Sequence, residues 1–348
     1  MTVFNDDLFI KKSIESILNQ SFQDFEFIII VEHGSNSSTI EIVRYFADKD
    51  QRIRTVFNEK KLNIASSLNV GLDLAYGEYI ARMDADDIAL PERLYIQNKF
   101  LDEHKDVDIC VADVIFIDKD DNNLRLKDNY PLTHEQIKAE LLFSTCIRHP
   151  TVMMRNASLK KAELRYNPDY STSEDYEFWN RACHVLRIIR LPNILLLYRW
   201  HGSNATILNA ETGINNFLKV MANNFEKLGL NFSYDELHML CSLTCEMNLN
   251  NFYKTCRFIN KAMLKIIKKN KTLNLYDSHC LKASVEKRMF WKKNPHRLFV
   301  SASMRTASFV IFFFTNRTAS LLKTIATYIE IHGLRKTMGR ILKKFFKL

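Results

Sequence analysis

Through the N-terminal part of the chain the apolar positions switch repeatedly between two periods. Ile10, Ile14, Ile17 and Leu18 recur at helical spacing and predict a helix over Phe9 to Leu18, closed by Asn19-Gln20-Ser21. Phe27-Ile28-Ile29-Ile30-Val31 is continuously apolar and mostly β-branched, which predicts a strand buried on both faces, as in a parallel sheet. That strand breaks at the polar loop from Glu32 to Thr39, and a helix follows through Ile40 to Phe46. The alternation continues with a strand over Arg52 to Phe57, a helix over Ala65 to Ala75, a strand over Tyr79 to Met83, a helix over Pro91 to Leu101 and a strand over Val107 to Ala112. Further on, His134 to Phe143 and Tyr176 to Ala182 read as helices, Thr151 to Arg155 as a strand, and Leu186 to Trp200 as one or two strands. Such alternation predicts a doubly wound α/β domain, whose ligands bind beyond the carboxyl ends of strands.

From about Glu211 onward the pattern changes to long helical stripes rich in Leu, Phe, Met and Lys. The expected organisation is therefore an α/β domain over residues 1–210 and a helical, basic region over 211–348. The formal net charge of +9 is concentrated in that second region: Asn251 to Val300 holds thirteen Lys/Arg against two acids, and Ile331 to Leu348 holds six with none. Such asymmetry predicts an anionic surface as partner. Leu334, Met338, Ile341, Leu342 and Phe345 share one helical face and leave the basic residues on the other, the composition of an interfacial helix on an anionic bilayer. Phe309 to Phe314 is very apolar but bounded by Arg305 and Arg317, so it is too short to span a membrane. A nucleic-acid partner is disfavoured, because the basic helices are interleaved with large apolar residues and no reading module is recognisable. The seven cysteines lack metal-ligand spacing and the first residues show no basic-then-apolar leader, so the chain is expected on the cytoplasmic side, peripheral to the membrane.

The chemistry concentrates at Gly77-Glu78-Tyr79-Ile80-Ala81-Arg82-Met83-Asp84-Ala85-Asp86-Asp87, where an apolar run ends in three acids within four positions. Carboxylates this close repel one another, and a hard divalent cation, Mg²⁺ or Mn²⁺, shared with substrate phosphates would reconcile them. The simpler reading is a helix start capped by Asp86 or Asp87, which leaves Asp84 unexplained. Ser173 reads as the N-cap of the helix that Glu174 and Asp175 open; carboxylates there ionise easily, which suits charge stabilisation or metal binding. Asp118-Lys119-Asp120-Asp121 reads as a solvated turn.

Several ordered motifs run from Met1 to about Asn204: Phe4-Asn5, Ser16-Ile17-Leu18-Asn19-Gln20-Ser21-Phe22, Asp24-Phe25-Glu26 leading into Glu32-His33-Gly34-Ser35, Leu68-Asn69-Val70-Gly71, the acidic stretch ending at Asp87, Ser173-Glu174-Asp175, and Tyr198-Arg199-Trp200-His201. In this order they closely resemble the family 2 inverting glycosyltransferases with the GT-A fold, in particular bacterial enzymes that build lipopolysaccharide, capsule and other surface polysaccharides. The resemblance implies a Rossmann-like, mostly parallel sheet with flanking helices and a nucleotide-diphospho-sugar donor, UDP-sugar first. It implies Asp84 and Asp86 as the metal-associated pair, one toward the ribose or diphosphate and the other toward the cation. It makes Asp175 the general base, with Glu174 beside it, and sets His201 near the diphosphate. Glu32 and His33 occupy the position where the family commonly carries two aspartates that hold the base. Arg82 offsets the acidic cluster, reaches phosphate, or simply forms a salt bridge nearby. The implied acceptor is a lipid-linked or lipopolysaccharide glycan at the inner-membrane surface.

Two departures from the family pattern stand out. Lys61-Leu62-Asn63 replaces an Asn-x-Gly turn; asparagine tolerates a left-handed backbone, and Lys61 adds a charge near the nucleotide cleft, where it touches phosphate or nothing. Met1-Thr2-Val3-Phe4-Asn5 matches only the end of the family's first strand, so the start is expected to be misplaced or the gene shortened. The rival expectations are a catalytically impaired protein of the same fold, a membrane-surface adaptor and a nucleic-acid-binding protein.

Overall fold

The computed structural model describes residues 1–126, 131–201, 210–241 and 249–289. The expected tail helix and the Phe309–Phe314 patch lie outside the described residues.

Two sheets carry the N-terminal part. The first is parallel, in the order β1 (Thr2–Val3), β2 (Phe27–Val31), β3 (Ile53–Phe57), with Val3 opposite Val31 and Val31 opposite Phe57. β1 is short, and its backbone bonds to β2 run from Met1 to Glu32. Helices α1 (Ile10–Leu18) and α2 (Ser37–Lys49) connect its strands, and α3 (Ile64–Leu74) leads from β3 to the second sheet. Asn36 caps α2 by accepting from Thr39 N at 2.8 Å, and Asn63 caps α3 by accepting from Ser66 N at 2.9 Å. Asn63 therefore has an extended backbone (φ −83°, ψ 164°) instead of the left-handed one expected: its side chain satisfies a helix N–H that a glycine would leave bare.

The second sheet is mixed. Its strands are β4 (Tyr79–Ala81), β5 (Ile88–Ala89), β6 (Ile109–Ile117), β7 (Met153–Arg155) and β8 (Ile188–Arg199), in the order β4-β7-β6-β8-β5. The long pair β6 and β8 is parallel, with a register irregularity at Asp113, and the other pairs are antiparallel. The helices of this half are α4 (Arg93–Glu103), α5 (His134–Leu141), α6 (Asn156–Lys161) and α7 (Glu174–Ala182). Met83, Ala85, Phe116 and Leu196 pack into one core with Ile10, Ile14, Ile29 and Val31, which fixes the acid-bearing loop of the second sheet against the ends of the first. A neighbouring core centres on Tyr176, Phe178 and Trp179 of α7, each fully buried. At about 2–3 kcal/mol per large apolar side chain, that burial anchors the helix that carries Glu174 and Asp175.

The helical region comprises α8 (Ala210–Lys227), α9 (Tyr234–Cys241), α10 (Leu249–Leu273) and α11 (Ser278–Met289). Its core includes Ala139, Leu142 and Phe143 from α5 and the segment just after it, so α5 is shared between this bundle and the sheets. Glu140 of α5 accepts from Arg288 Nη2 and from Ser284 Oγ of α11, each at 2.8 Å. Among the described residues, no helix is long and apolar enough to cross a membrane.

Candidate active site

The acidic loop lies between β4 and β5 and is gripped from two sides. From below, α1 presents a polar ridge beside its apolar stripe. Ser13 Oγ lies 2.7 Å from Ala85 O and 2.5 Å from Asp87 O, and Ser16 Oγ accepts from Ala89 N at 3.0 Å. Gln20 donates to Leu90 O at 2.8 Å and accepts from Leu94 N at 3.0 Å. From the other side comes the end of β8. Arg199, 1% exposed, donates its backbone N–H to Asp87 Oδ1 (2.8 Å), its Nε to Asp86 O (2.7 Å) and its Nη1 to Asp118 O (2.9 Å). Asp121 pairs with that guanidinium at 2.6 Å and with Lys12, so the turn expected to be merely solvated clamps the arginine beneath the loop. His201 Nε2 stands 3.1 Å from Asp86 Oδ2, with its ring 4.9 Å from that of Phe9. Asp87 caps no helix: its carboxylate is taken by Arg199, and Glu92 precedes α4.

One carboxylate oxygen from each of Asp84, Asp86 and Asp87 falls within 4.8 Å of the others. Asp87 is buried, and its Oδ2 has no hydrogen-bond partner. Burial, and then the charges of Asp86 and Asp84, push its carboxyl well above the usual carboxylate range. Asp84 is likewise raised by burial and by Asp86, against the opposing pull of Arg82, with which it pairs. Asp6 joins them: burial, with Asp86 and Asp84 beyond it, lifts its carboxyl to about 6 although Phe4 N donates to it at 3.0 Å. The all-oxygen donor set, the repulsion within it and the unsatisfied buried Asp87 oxygen fit a hard divalent cation. Arg82 is nearly buried; burial alone would lower its pKa, but Asp84 outweighs that and holds the guanidinium above its ordinary value. Under it lies Arg93, fully buried, donating to Arg82 O at 2.7 Å and lowered by burial to about 10.

The second acidic pair opens α7. Ser173 occupies the cap position, but its hydroxyl donates to Gly213 O at 3.0 Å and accepts no helix N–H, so the expected side-chain cap is absent. Glu174 is buried with its Oε2 unpartnered, and burial followed by the charge of Asp175 lifts its carboxyl to about 8. Asp175 accepts from Tyr176 N at 2.6 Å and is also raised by burial. The helix-start position predicted easier ionisation; in the fold, burial and mutual repulsion outweigh the helix dipole. Arg82 pairs with Asp84, and its charge lowers the carboxyl pKa values of Asp84, Glu174 and Asp175 against the larger effect of burial. Tyr166 and His149 share this neighbourhood: Tyr166 OH is 2.7 Å from His149 Nε2, and burial with the nearby Arg82 keeps the imidazole neutral.

The loop before α7 is tied to α8. Asn216 Nδ2 donates to Ser171 O at 2.7 Å, and the rings of Tyr176 and Phe217 stack at 4.5 Å. Thr172 holds φ +67°, a strained value for a β-branched residue.

Glu32, His33 and Lys61 line the carboxyl end of the first sheet. Glu32 Oε1 accepts from Asn58 Nδ2 (2.7 Å) and from Ser67 Oγ, and its Oε2 accepts from Leu62 N (3.1 Å). Both oxygens are thus engaged by protein groups, with lone-pair capacity left on Oε2. His33 is exposed on the following loop, and Lys61 Nζ stands 5.3 Å over the Phe4 ring. The Phe4–Asp6 turn links this end to the acidic loop. Sequence reasoning missed Asp6, Arg93 and Ser13, and it placed Ser16, Gln20 and Arg199 in motifs without giving them a role at the acidic loop. For the ridge, the polar spacing of three, four and seven along α1 was a further signal.

The fold and the paired acidic sites define a class. The model of glycosyl transferase family 2 matches residues 1–162. An uncharacterized glycosyltransferase of Methanocaldococcus jannaschii is 37% identical over 201 residues, covering 57% of this chain and 69% of that protein. The O-antigen biosynthesis glycosyltransferase WbnJ of Escherichia coli is 31% identical over 208 residues, 59% of this chain and 79% of its own. Among solved structures, S. aureus TarS 1–349 in complex with UDP-GlcNAc superposes with a TM-score of 0.56 over 86% of this chain and 90% of that one, at 18% identity, a likeness of fold. The chain belongs to glycosyltransferase family 2 and is a transferase with the GT-A fold.

Proposed function

We propose that this protein transfers a sugar, with inversion, from a nucleotide-diphospho-sugar to a hydroxyl of a lipid-linked or lipopolysaccharide-type glycan. The single observation that carries the reading is the acidic loop itself, where one carboxylate oxygen from each of Asp84, Asp86 and Asp87 falls within 4.8 Å of the others and the buried Asp87 Oδ2 has no hydrogen-bond partner. Asp84 and Asp86 would hold Mg²⁺ or Mn²⁺ on the side of the donor diphosphate, Asp87 closes the loop beneath them, and His201 and Arg199 fix Asp86 in place. The cation, when bound, neutralises charge on the departing nucleoside diphosphate. Asp175 takes the proton from the acceptor hydroxyl, whose oxygen forms the new bond to the anomeric carbon as the bond to the diphosphate breaks. A carboxylate whose pKa is raised by burial is a stronger base than an exposed one, which suits that role. Glu174 stands beside Asp175, its carboxyl lifted to about 8 by burial and then by that neighbour's charge. Glu32, His33 and Lys61 line the base and phosphate side of the donor pocket.

UDP is the favoured nucleotide, because the TarS structure of the same fold was solved with UDP-GlcNAc; the name of the WbnJ relative, O-antigen biosynthesis, supports the glycan acceptor. In this reading residues 1–210 form the transferase domain, and 211–348 hold it peripherally on the cytoplasmic face of the inner membrane. The test is a transfer assay with UDP-sugars, Mn²⁺ and a lipid extract as acceptor. Sugar should appear in the lipid fraction with stoichiometric UDP and disappear with Asp175→Asn. UDP release that is unaffected by that substitution would sink the base assignment.

A further inference from the structure

Helix α10 carries no acidic residue from Leu249 to Leu273, yet exposes six cations: Arg257, Lys261, Lys265, Lys268, Lys269 and Lys271. At about 100° per residue these six fall on one side of the helix, opposite Ile259, Met263 and Ile266, which are buried in the bundle core. None of the six lies in an ion pair among the described residues. Elsewhere on the surface, signs are mixed within one helix, as in the Lys99–Glu103 and Lys282–Glu286 pairs. Within the cationic face Leu264 is 60% exposed, and Leu273 at its edge is 45% exposed. A merely solvated face would gain by interspersing acids and has no use for an exposed leucine among its lysines.

We propose that this face of α10 is a docking surface for an anionic lipid bilayer. The lysines and Arg257 meet the phosphates, and Leu264 enters the headgroup layer. Such a helix lies in the plane of the interface, its cations attracted to anionic lipid and its apolar side chain anchored below them. The proposal deepens the membrane-side part of the proposed function and rests on that reading, but it places the contact on α10 itself, apart from the basic tail beyond residue 289. A nucleic acid would take the cations but leave Leu264 idle, so the leucine favours lipid.

The experiment is co-sedimentation of the full chain with phosphatidylcholine vesicles, with and without phosphatidylglycerol. The parent should bind only the anionic vesicles and be released by salt. Lys261→Gln/Lys265→Gln/Lys268→Gln should lower the partition coefficient at least about tenfold, given the strength of a lysine near an anionic surface. Leu264→Ser should lower it a few-fold with no change of charge, and Lys99→Gln/Lys105→Gln on the other half should leave it alone. Undiminished vesicle binding by both α10 variants would overturn the proposal, as would a parent that binds duplex DNA but not vesicles. Metal-dependent UDP binding by the same variants keeps this result distinct from the transferase reading: its survival alongside lost vesicle binding supports the docking surface, while its absence in the parent counts against the transferase site alone.

Discussion

Two sets of buried carboxyls in this molecule behave in opposite ways. In the seam between α5 and α11, Glu140 meets Arg288 at 2.8 Å and Lys287 at 3.6 Å. Burial opposes ionisation there, yet the arginine and lysine overcome it and hold the carboxyl down to about 2. In the two acidic groups, Asp87 and Glu174 are more deeply buried but keep oxygens with no partner, and their pKa values rise. The contrast separates structure from function. A buried acid with a matched cation holds two elements together, whereas buried acids set against one another await something from outside the chain.

The largest effect that would break this comparison is at Asp175. Asp175→Asn is expected to lower kcat by about 10²–10⁴ while UDP binding stays within a few-fold, because a base acts only on the reacting proton. Steady-state kinetics beside nucleotide titration reads both, and joint loss would mean a structural cap. Next is the seam. Glu140→Gln leaves the half-buried Arg288 without its counter-charge and should cost about 2 kcal/mol of stability, measured by urea unfolding, with nucleotide binding intact. Because the folded pKa of Glu140 lies below its ordinary value, this contribution is present above about pH 4.5 and is lost as the pH falls toward 2.

Glu174 should show the reverse dependence. Its folded pKa is raised to about 8, so the folded state keeps a proton that the unfolded chain releases. Stability should therefore fall as the pH rises from the ordinary glutamate value through 8, and Glu174→Gln should remove that fall. A thermal melt series that shows the variant gaining a few degrees at pH 9 but not at pH 5 would bear this out; equal gains at both would not. The smallest effect is at Asp121. Asp121→Asn loosens the clamp on Arg199 and should weaken Mn²⁺-dependent nucleotide binding by about tenfold, as expected of a group that supports a ligand indirectly.

Much of this was legible in the sequence because it follows from chain-local chemistry. The unbroken Phe27–Val31 run could only be a buried strand, and three acids crowded after Tyr79–Ala81 marked a cleft. What stayed hidden depends on contacts between distant residues. Arg199 lies 112 positions from Asp87 and Asp121 lies 109 from Lys12, and no periodicity signals either. The direction of the Glu174 shift was misjudged for a related reason: a helix start is visible locally, while the burial that overrides it comes from the tertiary packing of α7, whose Tyr176, Phe178 and Trp179 sit in the core. Asn63 shows the same limit on a small scale, since its extended backbone is held by Ser66, whose N–H donates to its side-chain oxygen, and by Pro168, whose carbonyl accepts from its side-chain amide.

The most direct test of the central claim is calorimetric titration of UDP with and without Mn²⁺ into the chain and into its Asp86→Asn variant. The account predicts Mn²⁺-dependent binding by the chain, weakened by at least about a hundredfold in the variant, since Asp86 would be a direct ligand and not a supporting residue. Equal affinity in both, or binding indifferent to Mn²⁺, would contradict it and leave the acidic loop without a cation.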